Sequence, residues 1–170
     1  MRRLAIGALL LAAMVAAPRV ASAQAKKGDR EVLIQGQEFS TVGSGSNINF
    51  GQGIFNIGVF ISDLTEVGGG PSIQISGGGG SGVTTTVGFN GFGRRYFMIS
   101  NPKVQPYVAA EIFEQDFSNA STSLFINGVG GIKDYLSQKT ALDISGAYGF
   151  NTNNSSTGLV QFKVGVTFLF

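Results

Sequence analysis

The chain has 170 residues, the size of one domain, with 12 basic residues, 10 acidic residues and neither cysteine nor histidine. The absence of cysteine excludes a disulfide-held exported fold and a lipid-modified N-terminus, and the absence of histidine removes the commonest metal ligand and general base. Because Lys and Arg are not clustered, the composition also argues against nucleic acid as a partner.

The first 23 residues have the pattern of a cleavable secretory signal peptide. Arg2 and Arg3 precede an apolar run at residues 4–17, and small residues lead to a predicted cleavage between Ala23 and Gln24. The apolar run is too short for a spanning helix. Cleavage would remove three of the 12 arginines and lysines and leave 9 basic against 10 acidic residues, a net charge of −1.

A short polar leader at residues 24–30 precedes a single domain at residues 31–170, in which segments of alternating hydrophobicity recur. We predict eight strands at about residues 31–40, 47–61, 66–76, 83–97, 105–117, 121–133, 140–151 and 158–170. Most reach the roughly 9–11 residues that a tilted strand needs to cross a bilayer, and no stretch repeats with a helical period. The pattern predicts an all-β fold, an eight-stranded antiparallel up-and-down transmembrane β-barrel with both termini in the periplasm.

In each predicted strand, every second residue is apolar, and the residues between them are polar or small. The predicted lipid-facing set is Phe55, Ile57, Val59, Ile61, Val67, Ile73, Ile75, Val83, Val87, Phe89, Phe97, Val108, Ala110, Ile112, Leu124, Ile126, Ile132, Leu142, Ile144, Tyr148, Phe150, Val160, Phe162, Val164, Val166, Phe168 and Phe170. The predicted interior set is Gln52, Asn56, Ser72, Gln74, Asn90, Arg94, Glu111, Asn127, Asp143, Ser145, Gln161 and Lys163. Two places disturb the pattern: Pro71, where we predict a β-bulge, and Glu38, which we expect at the outer rim.

Four segments of the sequence resemble those of a known protein family. Two are strand–turn–strand hairpins, GIFNIGVFISDLTEVGG at residues 53–69 and GVGGIKDYLSQKTALDISGAYGF at residues 128–150. The others are VQPYVAAEIF at residues 104–113 and the alternating C-terminus that ends in Phe170. The chain resembles the small outer-membrane β-barrels, such as the OmpX-like barrels and the OmpA transmembrane domain. The resemblance implies a bacterial outer-membrane location and contact with outer-membrane lipid. It also implies a C-terminal signal, at Phe162, Phe168 and Phe170, for the barrel-insertion machinery.

Polar residues at mid-strand predict an interior network of Arg94, Glu111, Asn127, Asp143 and Lys163. Residues opposed across an antiparallel hairpin have a constant sum of residue numbers, and this rule places Asp143 opposite Lys163, Glu111 opposite Asn127 and Arg94 opposite Glu111, within a slip of one residue pair. Such charges either fill the narrow lumen as a structural network or form a proton or ion path or a switchable gate.

The leading hypothesis is a monomeric outer-membrane barrel with a plugged polar lumen, a structural or surface-interaction role, no cofactor or metal, and no enzymatic activity. One alternative is a narrow pore or a carrier for small solutes or apolar compounds. A second is an exported soluble ligand-binding barrel with the two faces inverted.

Overall fold

The computed structural model describes residues 25–42, 50–78, 81–114, 124–153 and 158–170. Its eight strands are β1 Arg30–Val42, β2 Phe50–Ser62, β3 Thr65–Gly78, β4 Ser81–Tyr96, β5 Val104–Glu114, β6 Leu124–Tyr135, β7 Thr140–Asn151 and β8 Gly158–Leu169. Each strand pairs with its sequence neighbours in an antiparallel sense, and β1 pairs with β8. The predicted closed eight-stranded antiparallel barrel is therefore confirmed.

The stagger of the strands sets the width of the barrel. A path that starts at Glu31 and passes from each residue to its cross-strand partner around the barrel returns to β1 at Thr41, ten residues further along the strand. Stagger, tilt and strand number together determine the diameter, and eight strands enclose a space just wide enough for side chains.

The two ends of the barrel differ. At one end, called here the terminus end, β1 begins, β8 ends and short connections join β2 to β3, β4 to β5 and β6 to β7. The other end is called here the loop end. The predicted cleavage site at Ala23 and Gln24 lies outside the described residues, as do three of the loop-end connections and part of the fourth, between β7 and β8. Within the described ranges no helix is long and apolar enough to cross a membrane.

The barrel wall is apolar on its outer surface. Phe162 is 58% exposed and Ile112 56%, and no member of the predicted lipid-facing set with a described side chain is buried. The side chain of Val83 lies outside the described part of the chain. All twelve residues of the predicted interior set are buried. The soluble barrel with inverted faces is therefore wrong, since Lys163 and Asp143 lie inside while Phe162 and Val164 lie outside.

The β-bulge predicted at Pro71 is absent. The β2–β3 register is the same on both sides of this residue, from Ile54 opposite Ser72 to Ile57 opposite Gly69, and two pairs between them are missing. Proline has no N–H to donate, so the ladder is interrupted without a change of register. The irregularity of this hairpin lies instead between Phe60 and Ser62. Glu38 faces outward near the loop end of β1, opposite Gly51.

Replacing Gly70 with alanine is expected to lower the free energy of unfolding by about 1–3 kcal/mol, the usual range for an overpacked site. A Cβ at this position would overlap the backbone carbonyl oxygen of Phe55, which cannot move like a flexible side chain. Gly53→Ala is the matched control, because a Cβ there has no neighbour within 4 Å. Urea unfolding of both variants in lipid vesicles measures the difference. Equal stabilities would contradict a close approach of β2 and β3 at Gly70.

Candidate functional site

The five residues of the predicted network all lie buried in the lumen, but not as one belt of opposed pairs. Glu111 is opposite Asn127 as expected. Arg94 is opposite Ala109, and Asp143 is opposite Gly165, so both other pairings are shifted by two residues. A shift of two keeps a side chain on the same face of a strand. The residues consequently stay inside but take different partners.

Arg94 is the centre of a buried group of charges close to the terminus end. Its Nη1 lies 3.6 Å from Glu31 Oε1, 3.7 Å from Glu66 Oε2 and 3.5 Å from Asp143 Oδ2. Lys133 forms an ion pair with Glu31 and lies 3.8 Å from Glu66 Oε2. We call these five residues the charge cluster. It comprises three carboxylates and two cations, each at most 2% exposed.

Tyrosine hydroxyls donate hydrogen bonds to two of the three carboxylates. Tyr96 donates a hydrogen bond of 2.5 Å to Glu66 Oε2, and Tyr107 donates one of 2.7 Å to Asp143 Oδ1. Buried charges are tolerated when they are both paired and hydrogen-bonded. The tyrosines thus supply part of the solvation that water would otherwise provide.

Aromatic rings also surround the two cations. The guanidinium carbon of Arg94 is 4.3 Å from the centroid of the Phe92 ring and 5.1 Å from that of Tyr107. Lys133 Nζ lies 5.0 Å from the Tyr96 ring centroid and 5.9 Å from that of Phe60. At these distances the negative ring faces attract the cations. The aromatic residues therefore stabilise the charge cluster as well as fill space.

A second ion pair lies further from the terminus end, where Lys163 contacts Glu111. Amide side chains occupy the neighbouring interior positions: Asn127 Nδ2 donates to Gln161 Oε1 at 3.4 Å, and Gln37 donates to Gln52. This part of the lumen is mainly polar, and the one ion pair found there among the described residues carries no net formal charge.

Glycines on the inner face make room for these long side chains. A Cβ on Gly58 would overlap the carboxylate of Glu66, and one on Gly149 would overlap the amide of Asn127. Because an eight-stranded barrel has little internal space, a large polar side chain on one strand requires a small residue on the next. Glycine on the polar parity is thus part of the interior packing.

Three members of the charge cluster were missing from the sequence prediction: Glu31, Glu66 and Lys133. All three lie close to strand ends, where the sequence does not distinguish an interior residue from a solvated rim residue. Their parity nevertheless carried the signal, since Glu31 shares its face with Gln35 and Gln37, and Glu66 shares its face with Ser72. A rule based on parity alone would have included them.

The chemistry of the lumen is that of paired charges and amides. Among the residues described by the structure, no group of three or more carboxylates has an arrangement that could hold a metal ion. The carboxylates are each engaged by Arg94, Lys133, Lys163 or a tyrosine hydroxyl. The arrangement can hold the strands together and block the lumen.

The barrel is similar to several solved outer-membrane proteins. Neisserial surface protein A matches with a TM-score of 0.64 and 13% identity over 85% of this chain and 100% of that one. The N-terminal barrel domain of Pseudomonas aeruginosa OprF matches with a TM-score of 0.62 and 18% identity over 86% and 100%. Ail, the attachment invasion locus protein of Yersinia pestis, matches with a TM-score of 0.54 and 12% identity over 85% and 99%. No protein-family model and no curated protein matches the sequence.

These likenesses are of fold, and the barrel's own surface supplies the physical reason for its location. An apolar outer wall around an interior of buried charges is stable only with hydrocarbon outside. The protein thus has the fold of a small eight-stranded transmembrane β-barrel, and this fold and its apolar outer wall agree with the predicted outer-membrane location.

Proposed function

We propose that this protein is a monomeric barrel with a structural or surface-interaction role, that its lumen is closed and that it catalyses no reaction. The observation that carries the proposal is the set of side chains that occupies the lumen from one end to the other.

The terminus end is covered by the leader and by an apolar cluster. Ala25 is buried against a group that includes Phe60, Tyr96, Tyr135 and Leu169. Backbone bonds join the leader to the end of β2: Gly28 N–H donates to Phe60 O at 2.8 Å, and Phe60 N–H donates to Asp29 O at 2.9 Å. The leader and the aromatic residues together form the first barrier to solutes.

The charge cluster and the Lys163–Glu111 pair fill the middle of the lumen, and a second apolar cluster follows toward the loop end. This cluster contains Phe113, Phe125 and Leu159, and the first two rings lie 6.3 Å apart, centroid to centroid. A solute would have to displace apolar side chains at both ends and ion pairs between them. Breaking a buried ion pair costs about 3–5 kcal/mol, which supports a closed lumen.

The outward aromatic residues of β8 support the proposed contact with insertion machinery. Phe162, Phe168 and the final Phe170 all face outward, with Phe170 61% exposed. An exposed alternating strand is a surface that another protein can recognise by strand pairing and side-chain pockets. We propose that β8 serves this purpose during assembly of the barrel.

In planar bilayers the folded protein is expected to produce no steady conductance. A shift in gel mobility between unheated and boiled samples shows that the preparation contains folded barrel. The double variant Lys163→Ala, Glu111→Ala is a control that removes one ion pair without leaving an unpaired charge, and it should also stay closed because the charge cluster remains. A steady current in the wild type that is lost on altering Arg94 or Lys163 would contradict the proposal and favour a narrow pore.

A carrier for small apolar compounds is the second candidate, and one groove favours it. The groove has a volume of about 250 Å³ and lies on the outer surface at the interrupted part of the β2–β3 ladder, beside Phe55 and Pro71. Its lining includes Gln35 and Ile54, whose side chains belong to the interior. Protein-dependent entry of a small apolar dye into lipid vesicles, without ionic current, would favour this function over a purely structural one.

A further inference from the structure

Charged side chains outside the lumen are distributed unevenly between the two ends of the barrel. At the terminus end, six cationic residues and three carboxylates are accessible: Lys26, Lys27, Arg30, Arg95, Lys103 and Lys139 against Asp29, Asp63 and Asp134. At the loop end, the accessible charges among the described side chains are Glu38 and Glu114, both acidic. The terminus end therefore attracts anions.

The cations of the terminus end are not neutralised by ion pairs. Every ion pair among the described residues belongs to the charge cluster or to the Lys163–Glu111 pair. Arg30 and Arg95 lie on the strand wall, and Arg95 Nη1 donates a hydrogen bond of 2.8 Å to Thr65 Oγ1. This bond orients the guanidinium and leaves its other N–H groups for a ligand.

Arg95 stands at the edge of an outward groove of about 450 Å³ between β4 and β5. The groove is shallow-walled because the outward residues are small: Gly93 and Ala110, with Val108 beside them. Directly after β4 come three exposed apolar residues, Phe97, Met98 and Ile99. The site thus combines a cation, an apolar channel and an apolar border on the face that meets lipid.

We propose that this groove binds an anionic phospholipid from the leaflet at the terminus end, with the phosphate on Arg95 and an acyl chain over Gly93 and Ala110. A guanidinium matches the geometry of phosphate oxygens with two parallel N–H bonds. The surrounding excess of cations favours a lipid with net negative charge over a zwitterionic one. The proposal is independent of whether the lumen conducts, because the site lies wholly on the outer wall.

Native mass spectrometry of the folded protein, titrated with phosphatidylglycerol and separately with phosphatidylcholine, tests the proposal. The wild type should bind phosphatidylglycerol more tightly. Arg95→Gln should weaken that binding about fivefold, the effect of one basic residue near an anionic surface, and reduce the preference for phosphatidylglycerol. Lys139→Gln, on the β6–β7 turn away from the groove, is the charge-matched control and should have little effect because salt screens distant charges.

A second variant separates the groove from the charge. Gly93→Leu places a side chain where a Cβ meets no neighbouring atom, so the barrel should fold normally while the channel is filled. It should weaken the binding of both lipids and keep the preference for phosphatidylglycerol. Four outcomes would each overturn the proposal. Two concern the variants: equal effects of Arg95→Gln and Lys139→Gln, or no effect of Gly93→Leu on lipid binding. The other two are displacement of the lipid by inorganic phosphate alone and a dimer formed through the groove.

Discussion

Replacing Arg94 with methionine is expected to destabilise the barrel by about 3–5 kcal/mol, the cost of leaving buried charges without their partner. Arg94 lies within 3.7 Å of carboxylate oxygens of Glu31, Glu66 and Asp143. Without it, three buried carboxylates would share Lys133 as their one cation. Methionine fills a similar volume, so the loss would come from charge rather than from a cavity.

Arg95→Met is the matched control, because the neighbouring arginine has the same side chain on the opposite face of the same strand. Arg95 is exposed, and its replacement should change stability by no more than about 0.5 kcal/mol. Urea unfolding in lipid vesicles, followed by the gel mobility of unheated samples, gives both values. Equal losses for the two variants would contradict the assignment of Arg94 to the interior cluster.

A double variant tests whether charge is the cause. Asp143→Asn removes one of the carboxylates that Arg94→Met would leave unpaired, and the asparagine oxygen can still accept the hydrogen bond from Tyr107. The loss of unfolding free energy in the double variant should therefore be smaller than the sum of the losses in the two single variants. The difference, which is the coupling energy of the pair, should be about 0.5–3 kcal/mol. Simple additivity would show that the two side chains do not interact.

Replacing Val164 with arginine is expected to destabilise the barrel by about 2–4 kcal/mol, the measured cost of a cation at the lipid-facing midplane of such barrels. Val164 lies near the middle of β8, faces outward and has Ile144 and Gly36 as cross-strand partners. Neither cross-strand partner carries a charge, and the outward carboxylate of Glu38 lies two residues from Gly36, opposite Phe162. The arginine would have to reach the headgroup region or draw water into the hydrocarbon.

The depth dependence of this effect supplies its control. Phe168→Arg adds the same charge to the same face of β8 close to the terminus end, where the cost should fall to about 0–1 kcal/mol apart from the lost aromatic ring. Val164→Leu controls for the change of size. A negligible cost for Val164→Arg, or the same cost at both positions in bilayers of normal thickness, would contradict a hydrocarbon environment around the middle of β8.

Periodicity was sufficient to predict the strands and their faces. β7 has the predicted bounds, 140–151, and the other strand ends differ by a few residues, as expected where hydrogen-bonded pairing rather than hydrophobicity decides the end. A period of two assigns each side chain to one of two faces, and a register error of two residues does not change that assignment. For this reason the prediction places Asp143 and Lys163 inside, although Asp143 lies opposite Gly165, two residues from Lys163.

The partners inside the lumen could not be derived in the same way. Lys133 contacts Glu31 although the two residues are 102 positions apart in the sequence, and they do not belong to the same hairpin. Contacts of this kind depend on the stagger that accumulates around the closed wall, which no single hairpin contains. The burial of Ala25 could not be derived either. The leader has no periodicity, and Ala25 packs against residues from several strands that come together only when the barrel closes.

Local alternation of side chains thus determined the strand count, the closed antiparallel wall and which residues meet lipid, because these properties repeat every two residues along the chain. Tertiary structure decided which charges meet in the lumen, where Arg94 joins three carboxylates contributed by β1, β3 and β7. It also decided that Arg95 lies beside a groove floored by Gly93 and Ala110. The physical reason is that ion pairs and grooves form between strands, and their positions follow from the summed register of the whole barrel rather than from any one segment.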